Sequence, residues 1–224
     1  MTEVCILGVM HGLHKENNVY SYDDIFGVIN KFSPEVIAVE IRPEDIGESV
    51  QYLEKFYPYE MVQTKIRYKN KCKLYGFDWF EEAVEGKLLW DDYFNSFDKV
   101  KIEKEFENDD KYKREKKVLE VIDDMRLELL LNHNAKEVND EKYDVIAKVY
   151  YKQFEVLFKD TPYERMAEIF NDRQAHINEN IINIIKENIG KRILFITGID
   201  HRAFIIDAIK NNIKEDIKFA KVEV

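Results

Sequence analysis

The chain has 224 residues, 45% of them apolar and 35% charged, and a formal net charge of −10. This excludes a disordered chain and supplies enough apolar side chains for the core of one ordinary domain. The acidic balance excludes a general nucleic-acid binder, whose phosphate contacts need clustered Lys and Arg. Cys5 and Cys72 are the only cysteines. They make no disulfide framework and suggest a reducing compartment. Met1-Thr2-Glu3 opens neither a signal peptide nor a membrane anchor. No segment approaches the ~18 apolar residues of a membrane helix. A cytoplasmic protein is expected, with no membrane partner.

Taken in chain order, Val4–Val9 is a short apolar run that reads as a buried parallel strand. It leads into Gly8-Val9-Met10-His11. Ser21–Lys31 has helical spacing, with Ile25, Phe26, Ile29 and Phe32 on one face. Val36–Ile41 is the second strand, with Glu40 and Arg42 at its end. Pro43–Phe56 reads as a helix, since Pro43 suits a helix start. Cys72–Phe77 is the third strand and ends at Asp78.

The rhythm then breaks. From about Glu81 to Asp160 there is no strand pattern. Lys101–Lys117 reads as a solvated helix face or a turn between helices. Val118–Leu131 is better patterned for packing. Tyr143–Phe158 is an aromatic-rich helix. A further helix starts at Thr161-Pro162 and ends near Asn188–Gly190. Ile193–Thr197 is the fourth strand, leading to Gly198-Ile199-Asp200-His201. Ala203–Asn212 reads as a helix and Ile217–Val224 as a last strand.

The expected fold class is α/β: a mostly parallel central sheet flanked by helices, with a large helical insertion between the third and fourth strands. The expected organisation is a single domain. Residues 1–80 and 160–224 form its α/β core, and 81–160 form an insertion that acts as lid or oligomerisation surface.

In an open parallel sheet, ligands bind outside the carboxyl ends of the strands. The strands deliver His11, Glu40, Asp78 and His201 to that edge. The glycines are expected to let the chain turn sharply as it leaves the sheet. Two histidines and a carboxylate can hold a divalent transition metal and leave room for an activated water. Glu40 lies inside an apolar run, where a carboxylate is costly unless paired or metal-bound. Asp78 is either a site residue or the cap of a helix near Trp79. Arg173 falls in the stripe Met166, Ile169, Phe170, Ile177, Ile181, Ile184. A guanidinium there needs an anion, either Glu40 or substrate, unless it reaches out to solvent. His14, Arg42, His176, Asp200 and Arg202 are candidate neighbours or substrate contacts. There is no G-x-S-x-G elbow, Walker loop, G-x-G-x-x-G, H-E-x-x-H or C-x-x-C.

"GVMH" (Gly8–His11), "VIAVEIR" with Glu40, "YGFD" (Tyr75–Asp78), "NDR" with Arg173 and "GIDH" (Gly198–His201) together resemble the TraB/Tiki group of the erythromycin esterase/ChaN-like superfamily. The resemblance covers roughly 1–80 and 160–215. It implies a hydrolase, peptidase-like, cleaving an amide or ester in a small molecule or peptide. His11, His201 and Glu40 would bind Mn, Co or Zn or activate water, and Arg173 would stabilise an oxyanion. Erythromycin esterases activate water with His and Glu alone, but their first motif carries Glu where this chain has Val9. ChaN-like members bind haem, which makes a haem-binding protein the alternative. A self-associating regulatory protein, using the insertion to form a homo-oligomer, is the third reading.

Overall fold

The computed structural model describes residues 1–224. Five strands form one sheet: β1 (Thr2–Val9), β2 (Val36–Val39), β3 (Lys73–Gly76), β4 (Arg192–Gly198) and β5 (Ile217–Phe219). Their order is β3-β2-β4-β1-β5, and every pairing is parallel. Parallel strands need crossovers, so helices cover both faces. The helices are α1 (Tyr22–Phe32), α2 (Val50–Phe56), α3 (Tyr59–Tyr68), α4 (Tyr93–Ser96), α5 (Asp98–Asn108), α6 (Lys113–Asn132), α7 (Ala135–Val138), α8 (Glu141–Phe158), α9 (Glu164–Glu187) and α10 (Ile199–Asn212). No helix is long and apolar enough to cross a membrane.

The period-2 alternation of strand side chains divides the core. Leu194 and Ile196 of β4 join Leu7, Ile37 and Val39 on one face, packed with Ile25 and Ile29 of α1 and Met61 of α3. Ile193 and Phe195 join Val4, Ile6 and Ala38 on the other, under Ile177, Ile181 and Ile184 of α9 and Ile205 of α10. All elements between β3 and β4 are helical. Part of that stretch has a small core of its own, Phe106, Leu119, Phe158, Tyr163 and Met166.

Several boundaries differ from the sequence reading. Residues 43–47 turn without forming a helix, and α2 starts only at Val50, capped by the Ser49 side chain. Arg42 explains why: it is buried and holds the turn through Asp45 and the carbonyls of Val84 and Lys87. Helix α10 begins four residues earlier than its apolar pattern, so His201 sits on its first turn. Asp78 accepts from the Trp79 amide, but no α-helix follows it. The last strand stops at Phe219. Beyond the reach of β5, β1 is sealed by the side chain of Asn139, which accepts from Gly8 N at 2.6 Å and donates to Gly8 O at 3.1 Å. An exposed strand edge would otherwise carry unpaired backbone groups there.

Candidate functional site at the carboxyl ends of β1, β2 and β4

The three inner strands, β2-β4-β1, place their carboxyl ends side by side. Glu40 follows β2 and is 5% exposed. Its Oε2 accepts from Thr197 Oγ1 at 2.7 Å and from Gly198 N at 2.5 Å. Its Oε1 accepts from Arg173 Nη2 at 2.8 Å. Arg173 also forks onto Asp78, with Nε to Oδ1 and Nη2 to Oδ2 each at 2.8 Å. The stripe arginine therefore serves two carboxylates, and Asp78 belongs to the site rather than to a helix cap. Arg173 is not fully buried: its side chain is 27% exposed. Its Nη1 makes no hydrogen bond within this network.

The histidines reach the same place from two sides. His201 Nε2 lies 3.9 Å from Glu40 Oε1. Its Nδ1 is 2.7 Å from Gln174 Oε1. Gln174 Nε2 donates to Asn178 Oδ1, and in this orientation Oε1 accepts from His201. His201 Nδ1 therefore carries the proton and Nε2 presents a lone pair. His11 Nδ1 is 2.7 Å from Glu60 Oε1, so its Nε2 is free as well. That Nε2 stands only 2.8 Å from where a β-carbon on Gly198 would lie, and Glu40 Oε2 stands 3.5 Å from the same point.

This corrects the expected reason for the glycines. Gly198 has φ −51°, and Gly8 is not among the residues with positive φ. Neither turns the chain in a way reserved for glycine. Both are needed for close approach, since a β-carbon at Gly8 would lie 2.1 Å from Ile199 Cδ1. The left-handed residue is His11 itself, at φ +51°. A non-glycine residue there costs about 1–3 kcal/mol, and such residues cluster at functional sites. Neighbouring contacts hold it. His14 is buried, accepts from Met10 N at 2.7 Å and donates to Tyr20 O at 2.7 Å. Its role is to brace the loop.

The other candidates lie outside this cluster. His176 is exposed and stacks flat on Trp79, with ring centroids 4.0 Å apart. Arg202 pairs with Asp144 and donates to Ile6 O. Asp200 turns toward the helical segment, accepting from Tyr143 and Tyr151 and pairing with Arg126. Its effect on the site is indirect. Tyr151 stacks on Phe170 at 3.6 Å, and Phe170 lies parallel to the His201 ring at 5.5 Å.

Burial alone would raise the Glu40 carboxyl, but His201, Arg173 and His11 outweigh it and hold the group well below the usual carboxylate range. Burial dominates at Asp78 and pushes it up despite Arg173. The two histidines are driven apart. Burial pushes His201 down to about 4. Burial also acts downward on His11, but the Glu60 hydrogen bond and the Glu40 and Glu60 charges overcome it and raise this imidazole. The Cys5 thiol is pushed up to about 12 by burial, which removes it as a nucleophile.

The His201 shift predicts an acid-sensitive fold. The unfolded imidazole takes a proton near 6.5 and the folded one only near 4. Its contribution is intact above pH 6.5 and is lost as pH falls to about 4, to the extent of ~3 kcal/mol. Urea unfolding at pH 7, 5.5 and 4.5 should show this loss in wild type and much less of it in His201→Gln. Parallel losses in the two proteins would mean that another group carries the acid response.

No family model, curated protein or solved structure matches the chain.

Proposed function

We propose that the chain is a hydrolase of the TraB/Tiki-like type that activates water at this strand edge to cleave an amide or ester. One observation carries the reading. Two imidazoles, each fixed through Nδ1, aim free Nε2 atoms around one buried carboxylate that an arginine holds ionised. Such an arrangement is expensive as mere packing, because it buries Glu40 and Asp78 against one guanidinium and Glu60 against the His11 imidazole.

His11 is the general base in this proposal. It is the more open histidine, with its side chain 38% exposed, and its raised pKa suits proton transfer near neutral pH. Glu60 orients the ring and stabilises the imidazolium as it forms, the part a carboxylate plays behind any catalytic histidine. His201 stays neutral. Its Nε2, 3.9 Å from Glu40 Oε1, accepts one hydrogen of the attacking water, and His11 Nε2 takes the other as the water oxygen attacks the carbonyl carbon. Arg173 Nη1, which bonds to neither Glu40 nor Asp78, donates to the developing oxyanion in this proposal. His11 then returns its proton to the leaving group.

The resemblance also implies Mn, Co or Zn on His11, His201 and Glu40, and the donor set does not fit such an ion. Both Glu40 oxygens already accept hydrogen bonds, one of them from a guanidinium that a dication would repel. No three His, Cys, Asp or Glu side chains stand together as a cation site. Haem fits no better, since His201 Nε2 faces a carboxylate instead of a flat apolar slot. The proposed chemistry uses neither.

The test is a panel of chromogenic acyl esters and short peptide amides, assayed before and after chelation and with added Mn, Co or Zn. Hydrolysis of one class, unchanged by chelator, is the expected result. Turnover only with added metal would return the assignment to a metal enzyme. No turnover, with a Soret band on haem addition, would favour the binding-protein alternative.

A further inference from the structure

Helix α6 has two distinct faces. Its inner face buries Leu119, Arg126 and Leu130, and Arg126 reaches across to Asp200 beside the site. Its outer face is an exposed stripe that reads Arg114, Val118, Val121, Met125, Glu128. The intervals are four, three, four and three residues, the heptad spacing of a helix that packs along a second helix. The apolar centre is open: Val118 is 41% exposed, and Val121 and Met125 are each 50% exposed. Lys117 and Asp124 flank the stripe and are also exposed. Arg114, Asp124 and Glu128 form no salt bridge within the chain, and Lys117 makes only an exposed one, to Glu120 of its own helix at 2.9 Å.

The charges along this stripe are ordered. The basic groups Arg114 and Lys117 lie at one end and the acidic groups Asp124 and Glu128 at the other, with Val121 midway. That order is self-complementary about a two-fold axis. Turn a second α6 antiparallel with the axis at Val121, and Arg114 meets Glu128, Lys117 meets Asp124, Val118 meets Met125, and Val121 meets itself. The paired ends lie ~21 Å apart along the helix. A parallel arrangement would set Arg114 against Arg114 and Glu128 against Glu128.

We propose that this face pairs with a second copy of the same chain, forming an isologous dimer through antiparallel α6 helices. A closed two-fold contact is the commonest way in which identical chains associate. The proposal commits to a second copy because the charge pattern matches its own reverse, which a foreign partner would not require. One helix pair makes a small interface, so a reversible dimer with a dissociation constant around the micromolar range is expected.

Sedimentation velocity over a concentration series tests it. Wild type should pass from monomer to dimer. Arg114→Glu and Glu128→Arg should each weaken association roughly tenfold, because each sets like charges together twice per dimer. The Arg114→Glu, Glu128→Arg double variant should recover wild-type affinity, as the pairs are restored in reverse. Val121→Cys should cross-link to a dimer under mild oxidation where wild type does not, since Cys5 is buried and Cys72 lies on another element. These positions are exposed, and circular dichroism will show whether each variant is folded. A chain that stays monomeric throughout overturns the proposal. So does a dimer equally tight in both single reversals, or a double variant that fails to recover.

Discussion

Arg173→Met is expected to lower unfolding stability by about 3 kcal/mol at pH 7, the lower end of the range for breaking a buried pair, because its side chain retains some solvent contact. The loss does not come from the arginine alone. Glu40 and Asp78 are 5% and 2% exposed, and Arg173 is the cation bonded to both. Removing it leaves two buried carboxylates that repel each other. Their pKa values must then rise, so the variant binds protons that wild type does not. The deficit should be largest at neutral pH and shrink as pH falls through the carboxylate range, where protonation neutralises both groups. Arg173→Lys should recover only part of the stability, since an ammonium cannot form the fork onto Asp78. Denaturant titrations at pH 7 and pH 4 measure both effects. A Met variant that unfolds with wild type at pH 7 would show that the two carboxylates are neutral in the native protein.

His11→Ala is expected to reduce kcat/KM on whichever substrate the panel identifies by about 10²–10⁴-fold, the range for losing a positioned base. A large loss would also follow from mere disruption, so the pH profile carries the argument. The folded pKa of His11 is raised, and only the neutral imidazole can accept the water's proton. Activity should therefore climb as pH rises through that value and level off above it. Glu60→Gln removes the charge that helps to raise the pKa while keeping an oxygen near Nδ1. It should move the rising limb to lower pH and lower the plateau, because the imidazolium loses its partner. A limb that stays in place in Glu60→Gln would assign the titration to another group.

Most of this architecture is legible in the sequence because the sheet is buried on both faces. Four apolar runs and their closing residues mark the strands, and the carboxyl-end rule brings His11, Glu40 and His201 to one rim. Arg173 is legible by contrast, as a cation in an apolar stripe. The same contrast marks Glu60, which shares a buried face of α3 with Met61, Thr64 and Tyr68, but this signal is easily passed over beside the more obvious histidines. Gln174 leaves no such trace. It touches His201 only because α9 crosses α10 at that point, and no periodicity encodes a crossing. The turn after Pro43 is hidden for a similar reason. Its geometry depends on Arg42 reaching carbonyls more than forty residues downstream.

The bare backbone at position 198 bears on how such a chain diverges. His11 Nε2 occupies the volume that any side chain there would fill. A lineage can exchange core residues for others of similar volume and drift far in overall identity. An alanine at 198 would require His11 to shift from its present position, so the glycine and the histidine are expected to be retained together. Within a set of remote homologues, a member that has lost the glycine would be expected to have lost the histidine too. Such paired losses would mark where in the lineage this arrangement of the strand edge was abandoned while the fold persisted.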